Sequence, residues 1–315
     1  MTTPTPSFLL RAAGVLLGGS LALAAVADTG KLVLTGGVSG VDGTAGGGIV
    51  PWAVIGTQAT EGEFGFSGFA TRLSTRDYGL TAAGAAVAWN DRMEVSIARQ
   101  DLNAAPAPAL NGVADFGVLP EPHLRLDIVG VKVRLLGEAI LDADHWLPQV
   151  SVGVQHKSLS AGSLQSVVDF LGARNSGTDV YVSATKLFLG TGLLVNGTLR
   201  YTNANQNGLL GFGAAAPGRD RRSLVPEISV AYLLRRDLAI GAEYRFMPNN
   251  LEALGRAAGL DNGLVQDDWR DIFIAWAPHR NVSLTLARVD LGRVVPGVTA
   301  SRRQTGNYLS VQVAY

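Results

Sequence analysis

The sequence has no cysteine, little charge and, past its first 30 residues, no long apolar run. Without cysteine there is no disulfide framework, Cys-ligated zinc site or iron–sulfur cluster. Asp, Glu, Lys and Arg make up 17 % of the 315 residues, against about 25 % in ordinary soluble domains. The 26 basic and 26 acidic residues cancel, which argues against a nucleic-acid binder. Mean hydropathy is +0.21, yet no stretch beyond the N-terminus approaches the roughly 18 apolar residues of a membrane helix. Glycine is abundant instead, with 39 residues and no three-residue period. A chain that is apolar on average but never for long fits a transmembrane β-barrel, whose strands alternate apolar and polar side chains.

Residues 1–27 read as an export signal. Arg11 is their only charge, an apolar stretch runs from Ala12 to Val26, and Ala25-Val26-Ala27 offers the small-x-small pattern of a cleavage site. An N-terminal anchor is the alternative, but the stretch is short and rich in Ala and Gly. With no Cys at the cleavage site, a lipid-anchored lipoprotein is excluded. The division expected is a signal peptide, 1–27, and an outer-membrane barrel domain, 28–315. Removing Arg11 leaves 25 basic and 26 acidic residues, net −1.

Beyond Asp28 a period of two recurs. Leu238, Ile240, Ala242, Tyr244 and Phe246 oppose Ala239, Gly241, Glu243 and Arg245. Likewise Leu193, Val195, Leu199 and Tyr201 oppose Asn196, Thr198, Arg200 and Thr202, and Val150, Val152 and Val154 oppose Gln149, Ser151, Gly153 and Gln155. Each segment has one greasy face and one small or polar face, as lipid outside and a wet lumen inside require. The reading is all-β: a transmembrane up-and-down antiparallel β-barrel of about 14 strands, over 31–39, 48–59, 64–73, 78–89, 92–101, 123–136, 146–157, 178–189, 192–203, 224–234, 237–247, 270–278, 281–290 and 305–315. From 90–91 onward, short connections at 90–91, 137–145, 190–191, 235–236 and 279–280 alternate with long ones at 102–122, 158–177, 204–223, 248–269 and 291–304. Short turns on one side and long loops on the other characterise outer-membrane barrels. Twelve strands with an N-terminal plug is the alternative, because 37–48 is nearly all Gly and small residues and Pro51 interrupts the second segment.

The phase switches within 123–136. Leu124, Leu126 and Ile128 share one parity and Val131, Val133 and Leu135 the other, so a β-bulge at Gly130 is expected to reset the face. On that reading the lumen-lining charges are Arg92, Glu94, Arg125, Asp127, Lys132, Arg134, Lys157, Arg200, Glu227, Glu243, Arg245 and Asp271. Trp89, Trp146, Phe188 and Trp276 fall beside short connections, where an interfacial girdle belongs. Tyr315, the last residue of an alternating segment, resembles the signal read by the barrel assembly machinery.

Several phrases carry a family resemblance. They include Gly30-Lys31-Leu32-Val33-Leu34-Thr35-Gly36-Gly37-Val38, Ala45-Gly46-Gly47-Gly48-Ile49-Val50-Pro51-Trp52-Ala53, Asp91-Arg92-Met93-Glu94-Val95-Ser96, Glu243-Tyr244-Arg245, Pro248-Asn249-Asn250-Leu251, Trp269-Arg270-Asp271-Ile272-Phe273-Ile274-Ala275-Trp276 and Val289-Asp290-Leu291-Gly292. Together they resemble a proteobacterial family of exported proteins carrying a domain of unknown function. The resemblance implies an outer-membrane protein and supplies no activity or site residues.

Motifs for chemistry are sparse. His123, His145, His156 and His279 are never paired at helical spacing, no G-x-S-x-G elbow occurs, and 43–48 lacks the Lys and Ser/Thr of a phosphate loop. No enzyme, cofactor, metal or nucleic-acid partner is expected. Asp261-Asn262-Gly263 with Asp267 and Asp268 lacks EF-hand spacing. Of the 26 basic residues 22 are Arg. Arg219, Arg221 and Arg222, and Arg302 and Arg303, sit in loops where lipopolysaccharide is a candidate partner beside membrane lipid. Segments 164–171 and 250–260 have helical apolar spacing and favour an amphiphilic or hydrophobic solute over a sugar. The function expected is a passive porin-like channel for a small or amphiphilic molecule. The alternative is a non-conducting structural or surface-interaction barrel.

Overall fold

Period-two alternation becomes a closed wall. The computed structural model describes residues 34, 36–111, 116–119, 123–140 and 146–315. The expected export signal lies outside the described residues. Two short strands, β1 (Val38–Ser39) and β2 (Ala45–Gly46), pair antiparallel. Twelve long ones follow: β3 (Phe64–Thr75), β4 (Gly79–Trp89), β5 (Met93–Asn103), β6 (His123–Leu136), β7 (Gln149–Ser160), β8 (Ser176–Phe188), β9 (Leu193–Thr202), β10 (Ser223–Arg235), β11 (Leu238–Arg245), β12 (Trp269–His279), β13 (Val282–Arg293) and β14 (Arg303–Ala314). Each pairs antiparallel with its neighbours in sequence, and β14 closes on β3 with Gly306 opposite Thr75 and Ala314 opposite Ser67. Tyr315 finishes the seam, its N–H donating to the Phe66 carbonyl at 2.7 Å and its carbonyl accepting from Phe66 at 2.9 Å.

The wall therefore has twelve strands, as the alternative reading had it, not about fourteen, and the described residues of the two segments expected first form a plug. Residues 36–59 are buried throughout. Gly46, Gly47 and Gly48 with Pro51 give this stretch no continuous alternating face, so it cannot serve as a wall with lipid on one side. It folds into the lumen instead.

Connections on one rim are 90–92, 137–148, 189–192, 236–237 and 280–281; those on the other are 76–78, 104–122, 161–175, 203–222, 246–268 and 294–302. We call these the turn side and the loop side. Phe64, Trp89, Trp146, Phe188 and Trp276 are exposed near the turn side, with Phe64 and Trp89 stacked at 6.2 Å. Val95, Ile97, Val131, Ile228, Val230, Ile272, Ile274 and Leu286 are exposed above them. A continuous apolar exterior of this extent belongs in lipid, not water.

Strand β6 corrects the expected bulge. Its alternation runs unbroken through Gly130, and its register with β5 is continuous from Met93–Val133 to Asn103–His123. What changes at Gly130 is the environment on both faces. On the turn side Lys132 points in and Val131 out; on the loop side Leu124, Leu126 and Ile128 point in while Arg125 and Asp127 point out. The same inversion occurs on β3, β5 and β13, where Leu73, Ala98 and Val289 are buried against exposed Arg72, Arg99 and Arg288.

Candidate functional site

The plug is held by its backbone. A buried segment with only the short β1–β2 pair must find other partners for its N–H and C=O groups, and the lumen side chains supply many of them. Glu94 on β5 accepts from the Ala45 N–H at 3.1 Å, the Gly56 N–H at 2.7 Å and the Thr44 hydroxyl at 2.7 Å. Glu243 on β11 accepts from the Ile49 N–H at 2.8 Å, the Val50 N–H at 3.4 Å and the Ser229 hydroxyl at 2.7 Å. The Pro51 carbonyl accepts from Thr198 at 2.8 Å and the Ala53 carbonyl from Gln149 at 2.7 Å. Lys132 reaches the carbonyls of Ala45 and Trp52, both at 3.3 Å, and ion-pairs with Glu94 at 3.2 Å.

Around the plug runs a buried charge lattice. Arg200 pairs with Glu227 at 2.6 Å, lies 3.6 Å from Asp179, and stacks over the Tyr181 ring at 5.0 Å. Arg245 reaches Glu227 at 3.3 Å and the Ile49 carbonyl at 3.2 Å. Lys157 pairs with Asp179 at 2.8 Å and donates to the Asn207 side chain at 2.6 Å. Asp42 brings the plug into this lattice, accepting from Gln155 at 2.7 Å while Gln155 accepts from Arg200 at 2.7 Å. Glu243 and Asp271 are register partners across β11 and β12, both buried.

Of the charges expected in the lumen, Glu94, Lys132, Lys157, Arg200, Glu227, Glu243, Arg245 and Asp271 are buried inside. Arg134 lies at the turn-side mouth, between Asp91 at 3.0 Å and Glu138 at 2.6 Å. Three placements are corrected. Arg92 is exposed in the tight 90–92 turn. Arg125 and Asp127 face outward, paired with Asp101 at 2.9 Å and Arg99 at 2.6 Å, because β6 has no bulge at Gly130 to turn them in. Gln155 lies on the polar face expected for its strand, whereas Asp42, Asp179 and Tyr181 are lattice members that the sequence reading does not name. Asp179 and Tyr181 share a parity opposite Val180 and Val182, so the alternation itself carried that signal.

On the loop side the lumen is divided: the charge lattice lies along β7–β12, and β13 with β3–β6 lines an apolar sector. One cavity of about 40 Å³ lies among Leu73, Leu80, Leu102, Trp269, Val289 and Leu291. A second of about 60 Å³ lies among Leu110, Leu124, Leu164, Val167, Leu210 and Val298. Tyr78, Leu209 and Val294 border both, so the two form one chamber divided by side chains. Its roof includes the helix Gln165–Phe170, whose Val168 is fully buried. The other expected loop helix is present as Glu252–Ala257. A third apolar cavity, about 20 Å³, separates the plug from the wall near Val38, Trp52, Leu187, Leu194 and Phe273.

In the 246–268 loop, Asp267 is occupied by Arg293, which donates at 2.7 and 2.9 Å, and these hydrogen bonds hold its carboxyl below the usual carboxylate range. Asp268 accepts from the Tyr244 hydroxyl at 2.9 Å and the Met247 N–H at 2.9 Å.

The family DUF3034, described as a protein of unknown function, matches residues 35–312. No curated protein matches the chain. Solved barrels resemble it at low identity. The KdgM porin shares 9 % identity over 79 % of this chain and 99 % of its own, with a TM-score of 0.48. The NanC porin shares 11 % over 79 % and 98 %, also at 0.48. The Acinetobacter baumannii outer membrane protein Omp33 shares 10 % over 82 % and 100 %, at 0.40.

Proposed function

This chain belongs to DUF3034, a family of proteins of unknown function, and for it we propose a plugged outer-membrane barrel that takes a small hydrophobic or amphiphilic molecule into its loop-side chamber. The observation that carries the reading is the chamber. A barrel lumen that merely passes ions and sugars is polar along its length. Here the charge lattice occupies the loop-side half of β7–β12, whereas the facing arc of β13, β3, β4, β5 and β6 lines the loop-side lumen with Leu and Val, and Thr75, Gln100 and Gln206 are polar members of the lining.

The plug supports a barrel closed to ions at rest. A porin-like passive channel would need residues 36–59 to move, since they fill the space between the walls. The chamber volumes are well below the roughly 300 Å³ of a typical ligand pocket, so a solute enters by parting the Leu209 and Val167 side chains. The apolar cavity at Trp52 and Phe273 offers such a solute a second apolar surface beyond the plug.

Quenching of Trp269 by a brominated fatty acid tests the proposal. The protein is placed in lipid nanodiscs with the other four tryptophans, Trp52, Trp89, Trp146 and Trp276, changed to Phe. The expected result is saturable quenching that Leu209→Arg abolishes. Non-saturable quenching, equal in both proteins, would report partition into lipid and overturn the chamber. Entry of the export signal into the secretory route and recognition of Tyr315 by the assembly machinery belong to the same proposal; loss of surface delivery on deleting Tyr315 would support the second.

A further inference from the structure

We infer that the outward face of β12, β13, β14 and β3 is a binding site for the phosphate groups of lipopolysaccharide. The inference rests on the outer-membrane reading and is independent of the chamber.

These four adjacent strands present Arg270, Arg288, Arg303 and Arg72 on the outside. Arg270 and Arg303 share a single carboxylate, Asp290, at 2.8 and 2.7 Å. Arg303 also lies 3.7 Å from Asp267, which Arg293 already holds. Arg288 donates to the Asn307 side chain at 2.9 Å and to Thr305 at 3.4 Å, and meets no carboxylate among the described residues. Arg72 has neither a hydrogen bond nor an ion pair among the described residues. The cluster thus has more guanidinium groups than the two carboxylates within it can neutralise.

Its depth is the second observation. A strand tilted near 40° gains about 2.6 Å of height per residue. On β10 the outward residues Leu224, Pro226, Ile228, Val230, Tyr232 and Leu234 are all apolar, a belt about 26 Å tall by that rise. On β13 the apolar outward run is Val282, Leu284 and Leu286, and Arg288 already stands only about 16 Å above Val282. One bilayer surrounds both strands. The boundary set by β10 therefore lies several ångströms above Arg288, and the arginines must find anions at the level where head groups meet acyl chains.

The loop side faces the outer leaflet, because barrels of this type keep short turns inward and long loops outward. Lipopolysaccharide carries phosphates on its sugar head directly above its acyl chains. Guanidinium binds phosphate through paired, charge-assisted hydrogen bonds, and a flexible stem lets it reach up to them. The ligand class is therefore a phosphorylated, acylated saccharide lipid, held on the outer wall and not in the lumen.

The test uses the full mature chain in nanodiscs of zwitterionic phospholipid, with lipid A, dephosphorylated lipid A and inorganic phosphate as separate probes, read by native mass spectrometry. Bound lipid A is expected on the wild type, and the Arg72→Gln, Arg288→Gln double variant should lose about ten-fold or more of that binding. Arg99→Gln, on β5 and paired with Asp127, should leave it unchanged. Both changes are on the outer surface, and heat-modifiable gel mobility checks that each barrel is folded. Equal binding of dephosphorylated lipid A would overturn the inference, as would full retention by the folded double variant. Displacement of lipid A by inorganic phosphate at equal phosphate concentration would assign the arginines to free anions and overturn the lipid. If the double variant fails to fold, the comparison of lipid A with its dephosphorylated form on the wild type still decides.

Discussion

Ile49 in the plug donates its backbone N–H to Glu243 on β11 at 2.8 Å. Glu94 plays the same part from β5, six strands away around a barrel of twelve. The plug is thus clamped from opposite walls by two carboxylates acting on backbone amides. A hydrogen bond to a charged group contributes about 1.5–3 kcal/mol, so losing one clamp should raise the population of displaced plug by roughly 10- to 100-fold. Planar-bilayer recordings of the wild type should show rare openings, and Glu94→Ala with Glu243→Ala should show frequent ones. Unchanged recordings from a folded double variant would mean that the clamps do not hold the lumen shut.

Arg200 is fully buried, and its partners Glu227, Asp179 and Gln155 are fully buried with it. Breaking a buried ion pair from one side costs about 3–5 kcal/mol, because the remaining charge is stranded in low dielectric. Arg200→Ala should therefore lower the urea midpoint of unfolding sharply. Arg200→Met with Glu227→Leu removes both charges of the closest pair and should recover part of the loss. A midpoint for Arg200→Ala equal to wild type would show that water enters the lattice.

Gly153 on β7 faces inward, and a Cβ there would run into the Tyr181 ring. The missing side chain lets Tyr181 lie against the wall beneath Arg200. Gly153→Val should push the ring aside and destabilise the barrel by about 1–3 kcal/mol, the usual cost of overpacking. Tyr181→Ala in the same background should relieve the clash, which a double-mutant cycle of unfolding midpoints would detect.

Alternation made the wall legible: Leu238–Arg245 could be assigned face by face from its sequence, and so could Leu193–Thr202. What alternation cannot say is which face meets lipid. Leu124, Leu126 and Ile128 looked like lipid contacts, yet they line the chamber side, and the charges between them stand outside. A bulge at Gly130 is required only if apolar residues always face outward, and on β6 they do not. The plug was legible only as an absence of alternation. Its attachments join residues 38 to 273 positions apart, as in Gly56 with Glu94 and Ser39 with Gln312, and no local pattern encodes them. Asp179 could have been found, because its parity with Tyr181 and Ser183 is plain in the β8 sequence.

Asp267 ties the 246–268 loop to the end of β13 through Arg293, and Trp269 follows two residues later on the chamber wall. The Arg293 hydrogen bonds lower the carboxyl of Asp267 in the folded protein, below the ordinary value of about 3.9. A carboxyl depressed in this way contributes stability that is present above its unfolded value and lost as pH falls through its folded value. The loop tie should therefore persist down to about pH 4 and weaken in stronger acid. Trp269 fluorescence in the protein lacking the other tryptophans reports it. The wild type should show an acid transition below that pH, while Asp267→Asn should show the loosened signal already at neutral pH and a smaller acid response. Superimposable titrations of the two proteins would mean that the Asp267–Arg293 pair does not order the loop.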